Sequence, residues 1–220
     1  MTLTLHEHPF AAYCWKALIA LYERDVPFER RFVGGDADRA GLAELWPMAA
    51  IPVLVDDAAG LTLPESSAIV EYLDGHGDAP ALVPLEPAAA LQTRIWDRVI
   101  DGYVMTPVQK IVGDSLRPEG RADPEGVAEA HGLLDRAYML LNAQLGGGAW
   151  LAGAAFSLAD CAAAPALHYA RVVHRWDENG LTNLTRYHAA LMARPSVARV
   201  VDEAREYRDL FPLPWPDYAD

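Results

Sequence analysis

Polar and apolar residues alternate from Thr2 to His6, the period of a half-buried strand, and the break His6-Glu7-His8-Pro9 leads into helical spacing from Phe10 to about Arg24. Pro9 suits that start, since proline is tolerated where a helix leaves its first amides unpaired. A second strand is predicted from Phe28 to Val33, followed by the turn Gly34-Gly35-Asp36 and a helix ending near Trp46. Ile51 to Asp56 and Gly60 to Leu63 read as a hairpin around Asp57-Ala58-Ala59-Gly60, and Ser66 to Gly75 as a helix closed by glycine. The order β-α-β-α-β-β-α, with a helix between the first two strands, implies a parallel crossover.

Pro80, Pro84 and Pro87 then fall within ten residues, a linker composition. Everything after it has helical period: about Ala88 to Asp114, Pro124 to Leu145, Leu158 to Arg171, Thr182 to Ala193 and Ser196 to Tyr207. The expected plan is a small α/β domain over residues 1–80 and an all-α domain over residues 88–220. Phe156-Ser157-Leu158-Ala159-Asp160-Cys161 reads as a capping box, Ser157 capping the amide of Asp160 and Asp160 returning the bond.

Composition narrows the classes. The chain has 220 residues, 52% hydrophobic and 22% charged, which permits a substantial core. Its 18 basic and 31 acidic side chains leave a net charge of −13, and Lys16 and Lys110 are its lysines. That balance argues against nucleic acid and anionic membrane as partners, because both need clustered cations. The apolar runs fall short of the roughly 18–20 residues that span a bilayer. Residues 1–20 lack the pattern of a secretory leader. Cys14 and Cys161 lie in helical stretches and are expected to be free thiols in a reducing cytoplasm. His6 with His8 and His168 with His174 have no third ligand at a fitting spacing, so no metal is expected.

Four stretches in register carry a resemblance: Tyr13 to Leu21 (YCWKALIAL), Pro47 to Leu54 (PMAAIPVL), Glu65 to Leu73 (ESSAIVEYL) and Phe156 to Cys161 (FSLADC). The chain resembles the cytosolic glutathione transferase superfamily over nearly its whole length. It looks most similar to the zeta-like and related bacterial classes, through CWKALIAL and through YVMTPVQKIV in the first long helix of the second half. The resemblance implies a thioredoxin-like domain followed by a helical one, glutathione as co-substrate, a small hydrophobic electrophile as its partner in detoxification chemistry, and a two-fold homodimer.

It also implies roles for particular residues. Pro52 would be cis and would orient the main chain of Val53 toward the cysteinyl backbone of glutathione; read alone, it is a trans proline opening an edge strand. Read alone, Ser66 is a helix N-cap with Glu65 beside it. The resemblance adds a γ-glutamyl carboxylate on the helix amides and its ammonium on Glu65. Ala11 and Ala12 occupy the places of the zeta serines, followed by Tyr13 and Cys14, and Ala49-Ala50 replaces a polar pair that contacts glutathione.

A free thiol with pKa about 8.5 is only about 3% ionised at pH 7, and two units of lowering require about 2.7 kcal/mol. The group supplying it is the Tyr13 phenol, the Cys14 thiol, or backbone amides near Ala11 to Tyr13. Core packing is the competing role for Tyr13 and Cys14. Trp96, Tyr103 and Lys110 are seven apart, with Pro107 expected to bend the helix beside them, which predicts one helix face suited to a flat or anionic acceptor, or else a core stripe with Lys110 reaching out. Three readings of function stay open: thiolate transfer or zeta-type cis-trans isomerisation of an unsaturated diketo acid, a weakly catalytic ligand-binding protein of the same fold, and a thiol reductase acting through Cys14.

Overall fold

The computed structural model describes residues 3–219; Thr2, expected to open the first strand, lies outside them. β1 (Leu3–Glu7) pairs parallel with β2 (Phe28–Phe32), and α1 (Ala12–Glu23) is the crossover that such pairing requires. α2 (Asp36–Leu45) leads to β3 (Val53–Asp56), which pairs antiparallel with both β1 and β4 (Leu61–Pro64), giving the order β2-β1-β3-β4. The predicted hairpin is thus present. β2 forms one edge, and its Glu29, Arg30 and Arg31 are the kind of charged residues that discourage further strand addition. α3 (Ser66–Leu73) closes this half.

The second half is helical: α4 (Pro87–Ile100), α5 (Thr106–Ser115), α6 (Pro124–Gln144), α7 (Leu158–Val173), α8 (Thr182–Met192) and α9 (Pro195–Ala204), followed by 3₁₀ turns at Arg205–Leu210 and Asp217–Ala219. The last predicted helix therefore stops at Ala204, short of Tyr207. The single helix predicted from 88 to 114 is divided by a π-helical turn at Asp101–Met105. Pro107 supplies the cause: it has no N–H to give the carbonyl of Tyr103, and its ring crowds that carbonyl. A wider turn relieves both faults, and the Thr106 amide reaches back five residues to the Asp101 carbonyl.

α1 is buried along Cys14–Leu21, because α3 and α7 pack on it within one continuous hydrophobic core shared by both halves. The capping box at the head of α7 is present. The Asp160 carboxylate accepts from the Ser157 amide and hydroxyl, both at 2.9 Å, from the Leu151 amide at 3.0 Å and from the Tyr187 hydroxyl at 2.6 Å. The segment after α9 returns across the chain: Phe211 and Trp215 stand against Phe10, each with ring centroids 6.1 Å away. This return brings the C-terminal segment to the head of α1.

Candidate functional site

The head of α1 is held from three directions. The Trp15 indole donates to the Pro9 carbonyl at 2.5 Å, the Tyr169 hydroxyl donates to the Phe10 carbonyl at 2.9 Å, and the Phe10 amide donates to His8 Nδ1 at 3.1 Å. Ala11 is the N-cap residue, extended at φ −92° and ψ 120°, and its side chain caps nothing. The amides of Cys14 and Trp15 turn back to the Ala11 carbonyl at 2.9 and 3.1 Å. The amides of Ala12 and Tyr13 are left at the positive end of the helix with no acceptor among the described residues, which is where an anion is stabilised.

Two cavities open beside this point, one lined by Tyr13 and the other by Ala12. The polar one, about 250 Å³, is lined by Tyr13, Ile51, Pro52, Glu65, Ser66 and Arg98, with Ala50 and Trp46 at its rim. The Ile51-Pro52 bond is cis. Ile51 lines the cavity; Val53 does not, because Val53 is buried in β3 between His6 of β1 and Pro64 of β4. Val53 lies within the sheet register, and Ile51, the residue before Pro52, is the one that reaches the cavity.

Glu65 stands at the N-cap of α3 with φ +71° and ψ 114°, a conformation that a β-carbon disfavours. Ser66 is the first helical residue rather than the expected cap, so its amide is one of those presented to the cavity.

Beneath this wall sits a buried charge cluster. Lys16, 1% exposed, donates to Ser67 Oγ at 2.8 Å and pairs with Asp101 at 3.1 Å and with Asp97. Ser67 in turn donates to Asp97 at 2.9 Å, and Arg98 donates to Asp101 at 2.5 Å. Two cations face two carboxylates, and Ser67, Arg98 and Asp101 reach the cavity wall. The Tyr13 phenol points into the same region: burial, then the Asp101 carboxylate, push it up to about 12, so it remains a protonated donor.

The second cavity, about 420 Å³, is apolar. Phe10 and Ala12 come from the head of α1, Met105 and Val108 from the π-turn and α5, Tyr169 from α7 and Phe211 from the returning segment. Among the described residues no charged side chain lines it, and Gln109 is its polar contact besides the Tyr169 hydroxyl.

The predicted acceptor face does not form. Trp96 is buried in the core, Tyr103 lies half-exposed, and Lys110 is ion-paired to Asp123 in a separate groove between α5 and α6. The heptad spacing fails because the π-turn rotates the downstream helix, about 100° for each residue added. Cys14 lines neither cavity: it is fully buried, and burial pushes its thiol up, against the thiolate that a nucleophile or reductase needs. The residues that the sequence pattern did not reveal are Lys16, Ser67, Asp97, Arg98 and Asp101 on one side and Phe10, Met105, Val108, Tyr169 and Phe211 on the other. Lys16 had a signal, a lone cation in an otherwise apolar helix.

A thioredoxin-like sheet with a cis proline, an all-helical half behind it, and a polar and an apolar cavity lined by adjacent residues at the head of α1 together define the class of protein. The glutathione S-transferase N-terminal domain family matches residues 5–81 and the glutathione S-transferase C-terminal domain family matches residues 124–190. The chain belongs to the glutathione S-transferase superfamily.

Among curated relatives, glutathione S-transferase GstB of Escherichia coli K12 is 29% identical over 195 residues, 84% of this chain and 91% of that one. A stringent starvation protein A homolog of Coxiella burnetii is 28% identical over 165 residues, 75% and 74% of the two chains. A solved glutathione S-transferase from Methylobacillus flagellatus with GSH bound is 28% identical, with a TM-score of 0.82 over 90% of this chain and 98% of that one.

Proposed function

We propose that this chain is a glutathione transferase whose thiol-activating group is the backbone at the head of α1 rather than a side-chain hydroxyl. Glutathione supplies the thiol whose sulfur attacks an electrophilic carbon. The chain's own residues divide the remaining work between residues 1–80 and residues 88–220.

Glu65 takes the γ-glutamyl ammonium, the Ser66 amide takes the neighbouring carboxylate, and the main chain of Ile51 beside Pro52 aligns the cysteinyl residue. The buried Lys16 cluster braces this wall. The amides of Ala12 and Tyr13, with the α1 dipole, hold negative charge at the sulfur position, and the Tyr13 phenol serves the glutamyl side.

The observation that supports this reading is the pair of unclaimed amides on Ala12 and Tyr13, adjacent residues that line the apolar and the polar cavity respectively. The apolar cavity favours a flat, uncharged electrophile; with no cation on its walls, an anionic diketo acid is the poorer fit, which weighs against the isomerase reading. A second reading, a ligand-binding protein with little catalysis, is supported by Ala11, Ala12, Ala49 and Ala50 in places where the resemblance implies polar groups, and by relatives named as starvation proteins.

Chromatography on immobilised glutathione combined with turnover of an activated aryl halide separates the two. Retention with turnover supports the transferase, retention without it supports the binding protein, and Glu65→Ala with unchanged retention overturns the site. A homodimer joined across the outer face of α3 and α4 is also proposed. Leu91 and Ile95 are exposed there beside the Glu71–Arg94 pair, and sedimentation as a monomer refutes it.

A further inference from the structure

A third cavity, about 250 Å³, lies on the other side of α7, enclosed by α8, α9 and the last 3₁₀ turn. It shares no lining residue with the two cavities of the proposed transferase site. One wall is cationic and imidazole-bearing: His168 and Arg171 from α7, His188 from α8 and Arg205 after α9. Met192, Ala198 and Val201 add apolar surface, and Asp202 lines the cavity beside its partner Arg205.

The polar groups are incompletely used. His188 Nε2 is buried and has no hydrogen-bond partner among the described residues, an arrangement that costs free energy unless a ligand or water completes it. Arg171 gives Nε and Nη2 to Glu178 and Nη1 to the Tyr218 carbonyl, which leaves two of its five N–H groups. Arg205 is paired at 3.1 Å with Asp202, whose side chain is 71% exposed, so solvent screens that pair. His168 packs between Trp15, centroids 5.0 Å apart, and Trp215, 5.5 Å apart, so its ring is fixed while one edge faces the cavity. Among the described residues, Glu178 and Asp202 are the carboxylates paired with these arginines.

We infer that this cavity is a second ligand site, taking a small organic carboxylate whose charged end meets Arg171, Arg205 and His188 Nε2 and whose compact apolar body rests on Met192, Ala198 and Val201. A free inorganic oxyanion matches less well, since the apolar surface offers it nothing. The inference does not depend on glutathione or on turnover.

Benzoate is a suitable probe, with benzyl alcohol as its neutral counterpart, measured by calorimetry on the full chain with the transferase cavities filled by S-hexylglutathione. Saturable binding of benzoate but not benzyl alcohol is expected, weakened about tenfold or more by Arg171→Met. Because Arg171 also ties down the C-terminal segment, a second variant is needed: Val201→Phe, which fills the apolar end, abolishes binding while thermal unfolding reports an intact fold. The inference is overturned by absence of benzoate binding at millimolar concentration, by equal binding of the alcohol, or by unchanged binding to a folded Val201→Phe protein.

Discussion

Two serines introduced one residue apart at the head of α1 are expected to act in opposite directions. Ala12 lines the apolar cavity next to Tyr13, which lines the polar one, so Ala12→Ser places a hydroxyl beside the proposed sulfur position. A hydrogen bond to a charged group contributes about 1.5–3 kcal/mol, which is one to two units of thiol pKa. Below both pKa values, kcat/KM for an activated aryl halide should rise about tenfold or more, with the lower limb of the pH profile displaced toward acid.

Ala11 is the N-cap, already extended and without a side-chain acceptor. In Ala11→Ser the new oxygen accepts from the second or third helical amide. That of Cys14 is held by the Ala11 carbonyl at 2.9 Å, so the serine captures the amide of Tyr13. The variant should gain about 1 kcal/mol of stability and a few degrees in Tm, because a cap is added. It should also lose about tenfold in kcat/KM at low pH, because one of the two thiolate donors is consumed. Equal pH profiles for wild type and both variants would refute the backbone-amide account, as would Ala11→Ser raising activity and stability together.

Lys16→Met leaves the buried Asp97 without its lysine and Asp101 with Arg98 alone, and should cost about 3–5 kcal/mol, on the order of 10 °C in Tm. A shift under about 2 °C removes the cluster from the stability argument. Ser157→Ala should cost about 1 kcal/mol, whereas Asp160→Ala also leaves the Leu151 amide and Tyr187 hydroxyl unsatisfied and should cost about 3 kcal/mol or more by urea denaturation. Burial holds His168 neutral by lowering its pKa from the ordinary 6.5 to about 3. The stability tied to its neutral form is complete above pH 6.5 and falls by about 1.4 kcal/mol per unit as the solution is acidified toward 3. His168→Phe should therefore lose less stability than wild type between pH 6.5 and 4.5. Cys14→Ala should leave turnover within about twofold, since the buried thiol reaches neither cavity; a larger loss restores Cys14 to the chemistry.

What the chain discloses before folding depends on how far apart the interacting residues are. The β3–β4 hairpin and the Ser157–Asp160 box need only neighbours within a few positions, and both are legible. The Thr2–His6 alternation and the crossover helix likewise predict β1 and its parallel partner. The π-turn is also local, but its cause lies in one proline's effect on a carbonyl four residues back, which hydrophobic period does not register. That single widened turn is why Trp96, Tyr103 and Lys110 look aligned in sequence and are dispersed in space. That Val53 lies inside the sheet while Ile51 reaches the polar cavity is not legible from pattern, because strand order is invisible to it.

The apolar cavity is the least legible part, since it joins Phe10 to Tyr169 and Phe211 across more than half the chain. Its neutrality follows from that assembly. The helix turns that carry charge, at Arg98 and Lys110, are rotated away toward Asp101 and Asp123, and the returning C-terminal segment covers the opening with Leu210, Phe211 and Pro212. The proposed selectivity for uncharged acceptors thus rests on the returning segment as much as on α5. Phe211→Ala, which opens that wall without touching the polar cavity, should raise KM for the aryl halide while glutathione retention stays unchanged. Loss of both together would mean that the two cavities do not work as separate halves of one site.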